Sequence, residues 1–365
     1  MPSDQLKTAI VHVEKLRYGG DRFKRKTDGD IYAISSTRRR VYQSGLKISP
    51  SVTPKLENTI SRICDTLFIP RQSIEAFVYA SPEISAQCVA GHISSCILVF
   101  SSSLINLLSE AELEFVVGHE IGHFLFGHGV WNLENSNDNV EYFVQQRSQE
   151  ISADRVGLEA CGSLDTAIRA LIKTLSGLDE EHLRFDVGEF VAQIRHAPDK
   201  INSEEFYSSH PSIFVRTRAL LWFSSVNRTE RSEKHYKQEI KKIDAQIEHD
   251  FVKYVDGPTR ALIAEIRENL AIWLFVARIV GDGIFDKSEQ NAVIELFGES
   301  VLSRLKQFLA NVPILEVQSL VSDRVNSIKE QLKKTIPSDF DRVYQEVNDQ
   351  INGKLDNIVY ARCDQ

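Results

Sequence analysis

Ser109-Glu110-Ala111-Glu112-Leu113-Glu114-Phe115-Val116-Val117-Gly118-His119-Glu120-Ile121-Gly122-His123-Phe124-Leu125-Phe126 reads as a helix with a marked start and an unusual middle. Ser109 can cap a helix N-terminus, and Glu112 three residues later completes a capping box before the apolar run. His119 and His123 stand four residues apart, so both imidazoles leave one helix face and reach a single ion at about 2.0–2.1 Å. Glu120 follows the first of them and projects toward the coordination position left open, where a carboxylate can take a proton from water. The apolar side chains around the pair mean that unpartnered imidazoles would be costly. Gly118 and Gly122 cost the helix about 1 kcal/mol each relative to Ala. Small residues there let another backbone or a substrate approach closely.

A zinc site needs a third ligand. Glu150, in Glu150-Ile151-Ser152-Ala153-Asp154 on the next long helical stretch, is the leading candidate. Asp154 lies one turn further on the same face, where it can accept a hydrogen bond from a ligand imidazole. His128 is the rival, but five residues past His123 it faces about 140° away on an ideal helix and reads as a helix-end cap.

Upstream of this helix, Leu56, Ile60, Ile63 and Leu67 share a helical face that ends at Pro70. Residues 74–80, 85–89 and 96–100 read as short strands separated by Ser81-Pro82 and Ala90-Gly91. Residues 1–50 carry no clear pattern, and the run Thr37-Arg38-Arg39-Arg40 reads as a solvated turn. Downstream, helices are expected over 140–160, ending at Gly162, then over 166–175 and 214–226. Residues 228–249 are strongly charged and read as an exposed helix or linker before Pro258. Helical spacing returns over 259–309, broken at Gly281-Asp282-Gly283, and continues to 358. The expected organisation is an N-terminal segment (1–50), a catalytic domain (51–227), a charged linker or helix (228–257) and a helical domain (258–365). The fold class is α+β, with a small, mainly antiparallel sheet packed on the helix that carries the histidines.

The chain has 365 residues, 42% hydrophobic and 26% charged, which suits an ordinary globular protein of two domains. A net charge of -8 gives no basis for nucleic-acid binding. No apolar stretch is long enough to span a bilayer. The first residues lack a charged start followed by an apolar run, so no secretory leader is expected. Five cysteines without a CxxC pair suit reduced thiols in a cytoplasmic protein.

Three blocks resemble the M48 metallopeptidases, a gluzincin family that includes the membrane protease HtpX and the CAAX prenyl proteases. The first is residues 107–113 with Val117-Gly118-His119-Glu120-Ile121-Gly122-His123. The second, Glu150 followed by Asp154-Arg155 and Gly157-Leu158, is the most telling. The third is His210-Pro211 with Arg216. The resemblance covers roughly residues 50–225. It implies one zinc ion on His119, His123 and Glu150, Glu120 as general base, and Asp154 beside a ligand. It further implies that His210 stabilises an oxyanion and that Arg216 braces the acidic side of the site. In this group an edge strand pairs with extended substrate; Ala86, Gln87, Cys88 and Val89 are the candidates. The family often has an Asn-Ala pair there, where this chain has Ser85-Ala86 or Val89-Ala90. Many members embed the catalytic domain among membrane helices, a departure that puts their membrane tasks in doubt here.

Further on, residues 276–283 with Glu289 look like the TerB-like helical domain of tellurite-resistance proteins. Asp282, Asp286 and Glu289 offer oxygens to a hard cation, without the full EF-hand loop. The expectation is a zinc metalloendopeptidase acting on protein or peptide substrates. The helical domain is its surface for a partner or self-association. The competing expectation is a zinc-containing binding or sensing module that does not cleave.

Overall fold

The structure, a computed structural model, describes residues 3–21, 31–92, 94–128, 140–193, 212–226, 233–254, 257–279, 285, 287–310, 312–337 and 340–363. Contacts divide the chain into two compact units. One is Met1–Ser136 with Tyr142–Gly257; the other is Asn137–Glu141 with Pro258–Gln365.

The first unit opens with α1 (Asp4–Glu14) and α2 (Ile31–Ser44), then β1 (Leu46–Lys47), α3 (Pro54–Thr66), β2 (Ile74–Tyr79), β3 (Ala86–His92) and β4 (Ser95–Ser101). It continues with α4 (Ser102–Leu107), α5 (Glu110–Phe126), α6 (Val140–Cys161), α7 (Leu164–Ser176), α8 (Val187–Ala192), α9 (Ile213–Ser224) and α10 (Glu233–Tyr254). The sheet order is β1-β2-β4-β3. β1 and β3 pair antiparallel with their neighbours, but the central pair β2–β4 runs parallel, Ile74 opposite Cys96 through Tyr79 opposite Ser101. The sheet is therefore mixed: two of its three pairings are antiparallel, as expected, and the central one is parallel. Burial explains the order: Cys96-Ile97-Leu98-Val99-Phe100 is apolar on both faces and takes an inner position, as parallel-paired strands do. β3, with Gln87 and less buried throughout, takes the edge. One face, with Phe77, Ile97 and Val99, packs on Val41 of α2; the other, with Ala76, Leu98 and Phe100, joins the main core with α3 and α5.

α5 begins as its sequence indicates. Ser109 Oγ accepts from the Glu112 N–H and the Glu112 carboxylate accepts from the Ser109 N–H at 2.8 Å, a cap worth roughly 1 kcal/mol. The same carboxylate takes the Lys173 ammonium of α7 at 2.8 Å, both groups buried, so the cap is tied to the next helix pair. Gly127 ends α5 at φ 80°, a left-handed conformation that favours glycine. α5 and α6 lie in close contact because glycines stand where they meet: a Cβ on Gly118 would sit 2.4 Å from that of Ala160, and one on Gly157 2.8 Å from the Phe115 carbonyl. The close approach allowed by the small residues is thus that of the α6 backbone.

Two stretches differ from their sequence reading. Residues 37–40 continue α2 instead of turning, and Arg38 donates to Glu75 of β2 at 3.1 Å. Residues 233–254 take the helical alternative, as α10, but with one face buried and not wholly exposed. Ile240, Ile243, Ile247 and Phe251, spaced three and four apart, form a buried stripe against the rest of the unit, including α9. The N-terminal segment has a similar stripe, Leu6, Ala9, Val13 and Leu16, all buried in the same core.

The described residues of the second unit form α11 (Gly257–Ile279), α12 (Lys287–Phe297), α13 (Glu299–Leu309), α14 (Ile314–Thr335) and α15 (Phe340–Cys363). Its own core gathers Leu270, Phe275, Val293, Leu305, Val321, Leu332 and Ile351. Asp282 and Asp286 lie outside the described residues. Among the described residues no helix is long and apolar enough to cross a membrane.

Candidate metal centre

Helix periodicity and the α5–α6 contact bring three side chains to one point. His119 and His123 rise from successive turns of α5, and Glu150 faces them from α6. His119 Nε2 and His123 Nε2 are 3.1 Å apart; Glu150 Oε1 lies 3.3 Å from the second and Oε2 3.5 Å from the first. This is a His-His-Glu group able to hold a metal ion, with its ligand atoms within 4.8 Å of one another. His119 and Glu150 are buried, and His123 is partly exposed. Glu120, on the same helix, is also buried.

The surroundings hold these groups in place. His119 Nδ1 meets Asp154 Oδ1 at 2.9 Å. Arg216 of α9 donates to both oxygens of Asp154, its Nε reaching Oδ2 at 2.7 Å, and its Nη1 stands 3.2 Å from Glu150 Oε2. Planar two-pronged contact of this kind fixes both partners. Burial alone would raise the Glu150 carboxyl. The Arg216 charge and then hydrogen bonds from both histidines outweigh it and hold the group well below the usual carboxylate range. Asp154 is lowered for the same reasons, burial being outweighed by the Arg216 charge and hydrogen bonds. Burial opposes a charge on His119, yet hydrogen bonds to Asp154 and Glu150 prevail and push it up to about 10.

The sequence-derived candidates His119, His123, Glu150, Asp154 and Arg216 thus meet in one cluster. Ala86, Gln87, Cys88 and Val89 all fall on β3, an edge strand of the described sheet, which packs against α5. Cys88 is near enough to the site to feel Glu120. Its thiol is raised well above the ordinary value, first by the hydrogen bond with Cys96, then by burial and the nearby charges. His210 lies outside the described residues. His128 is not a third ligand: the left-handed turn at Gly127 ends the helix, so the ideal helical angle no longer applies, and the ring swings to the far side of His123. There its Nδ1 meets His123 Nδ1 at 3.0 Å and its Nε2 meets Asp21 Oδ2 at 2.9 Å. Burial pushes His128 down to about 4 against the opposing Asp21 hydrogen bond. Sequence reasoning missed Asp21 altogether; its 107-residue separation from His128 leaves no local signal.

The family model for Peptidase family M48 matches residues 50–145 and 138–222 of the chain. Plastoglobule-localized metallopeptidase 48, chloroplastic, of Arabidopsis thaliana is 28% identical over 174 residues, which are 40% of this chain and 50% of that protein. The chain thus spans about half the length of the curated relative it matches. The family-model match takes in the helix pair that carries the His-His-Glu group, and the two comparisons together support a relation of this part of the chain to peptidase family M48.

Proposed function

We propose that the chain is a zinc-dependent endopeptidase. The observation that carries this reading is the meeting of two imidazole nitrogens and a carboxylate: His119 Nε2 and His123 Nε2 are 3.1 Å apart, with Glu150 Oε1 3.3 Å from His123 and Oε2 3.5 Å from His119. Ligands at about 2.0–2.1 Å from a tetrahedral ion lie roughly 3.3 Å from one another, so the two nitrogens and the carboxylate stand near the spacing zinc requires, as three donors for four positions. Two imidazoles and one carboxylate are a common donor set for catalytic zinc. When bound, the ion supplies a Lewis acid and brings the pKa of a water to about 7.

The chain's own residues do the rest. Glu120 takes the proton of the attacking water and passes it to the leaving amine. Asp154 holds the His119 ring by Nδ1, and Arg216 fixes both carboxylates, so the ligands keep their place. β3 offers an edge for extended peptide through Ala86, Gln87, Cys88 and Val89. On the family resemblance, His210 donates to the oxyanion that forms on the scissile carbonyl. The helical unit, with its TerB-like motif, is the surface for a regulatory partner or for self-association. A cytosolic setting rests on the free thiols of Cys64, Cys88, Cys96 and Cys161.

Cleavage of unfolded casein tests the reading. Wild-type protein should cut it, a chelator should stop cleavage and zinc restore it. Glu120→Gln should keep zinc and lose cleavage. Undiminished cleavage by pure Glu120→Gln protein contradicts the assignment.

A further inference from the structure

A ligand imidazole binds a metal only through a nitrogen that carries no proton, so its other nitrogen must carry one and needs an acceptor. For His119 that acceptor is the Asp154 carboxylate. For His123 it is another imidazole nitrogen, His128 Nδ1 at 3.0 Å, and two facing ring nitrogens leave open which of them holds the proton. The far end of His128 settles it. Its Nε2 faces Asp21 Oδ2 at 2.9 Å, and a carboxylate only accepts. His128 Nε2 therefore carries the proton toward Asp21, and for an ion to meet His123 Nε2 the proton between the two rings must sit on His123 Nδ1, with His128 Nδ1 accepting. His123 then donates from Nδ1 and meets the ion through Nε2, the nitrogen that faces Glu150 and His119.

Asp21 is built for this place. Its side chain is fully buried, a costly position for a carboxylate unless it is fully partnered. Ser152 Oγ–H donates to it at 2.7 Å, Gln145 Nε2 at 3.0 Å and Arg17 Nη1 at 3.1 Å. Ser152, two residues from Glu150, also accepts the Tyr18 N–H at 3.1 Å. Arg155 of α6 donates to the Leu16 carbonyl, and the Gly19 N–H donates to Asp244 of α10. The arm after α1 is thus pinned from α6 and α10, with Asp21 at its end. Asp21 lies outside residues 50–222, the part that matches the family model.

We propose that His128 and Asp21 are positioning residues of the metal centre: the N-terminal arm, through Asp21, fixes His128 and thereby the tautomer in which His123 meets the ion. The proposal rests on the zinc reading above. It makes the arm part of the metal site and not an appendage to it.

Zinc affinity tests it, read by competition with a coloured chelator, together with the visible spectrum of the cobalt(II)-loaded protein. His128→Leu removes the acceptor, and Asp21→Ala removes the group that orients it. Each should weaken zinc binding 10–100-fold and alter the cobalt bands. His128→Asn keeps an acceptor oxygen near the Nδ1 position and should stay within a few-fold of wild type. Circular dichroism checks the fold; if His128→Leu does not fold, the contrast between His128→Asn and Asp21→Ala carries the test. Wild-type affinity and cobalt bands in folded Asp21→Ala and His128→Leu overturn the proposal and leave the zinc reading intact. So does a loss in His128→Asn as large as in His128→Leu, which marks packing alone. A wild-type protein that binds no zinc overturns both.

Discussion

Replacing Gly118 by Ala tests whether the α5–α6 contact sets the ligand geometry. The new Cβ would stand 2.4 Å from the Cβ of Ala160, with the Gly157 Cα at 3.2 Å and the Val156 carbonyl at 3.4 Å. Carbon atoms rest at about 3.5–4.0 Å, so the helices must part locally by roughly 1 Å. Ala160 has no rotamer with which to yield, so the shift falls on the backbone. Overpacking of this kind costs about 1–3 kcal/mol, against a gain of about 1 kcal/mol from helix propensity. A net loss of up to about 2 kcal/mol is expected in urea unfolding of the metal-free protein. Metal ligands tolerate displacements of about 0.2 Å, and Glu150 rides on the displaced helix, so zinc affinity should fall at least tenfold, roughly 1.4 kcal/mol. Moving the methyl group from one helix to the other, in Gly118→Ala with Ala160→Gly, cancels the propensity terms and removes the shortest contact. The double variant should then bind zinc more tightly than Gly118→Ala alone, a coupling read from the cycle. Wild-type affinity and stability in Gly118→Ala, or no recovery in the double variant, refutes the reasoning.

Two further outcomes follow from the charges. His119 is pushed from 6.5 up to about 10 in the metal-free chain, so metal binding near neutral pH must displace its proton. Affinity should therefore rise up to tenfold per pH unit between pH 7 and 9, with proton release seen by calorimetry in buffers of different ionisation enthalpy; no release contradicts it. The same raised value means that protonation stabilises the metal-free fold fully below about pH 6.5 and ceases to as pH rises through about 10. Lys173→Met leaves the buried Glu112 carboxylate without its cation and should cost about 3–5 kcal/mol in urea unfolding, part of it recovered in Lys173→Met with Glu112→Gln.

Where signals are local, the chain was readable. Ser109 and Glu112 announce the start of α5, and the spacing of His119 and His123 follows from the helical turn alone. The glycines beside them mark a close approach without saying whose; the structure supplies the α6 backbone. Non-local arrangements stayed hidden. The parallel pairing of β2 with β4 depends on where the β3–β4 hairpin lands, which no strand pattern encodes. The stripe Ile240, Ile243, Ile247 and Phe251 was masked by the charges between its members, though its spacing was there to be found. His128 was judged on an ideal helix, and Gly127 ends that helix one residue earlier. Asp21 reaches the site only because α1 and its following arm fold back on α6, a tertiary event with no sequence signature.

X-ray absorption at the zinc edge of the loaded wild-type protein tests the metal centre most directly. Two imidazole nitrogens at about 2.0–2.1 Å and oxygens at about 2.0–2.2 Å, without sulfur, is the expected first shell. A sulfur shell at about 2.3 Å, or oxygen neighbours with no imidazole scattering, contradicts an ion held by His119, His123 and Glu150.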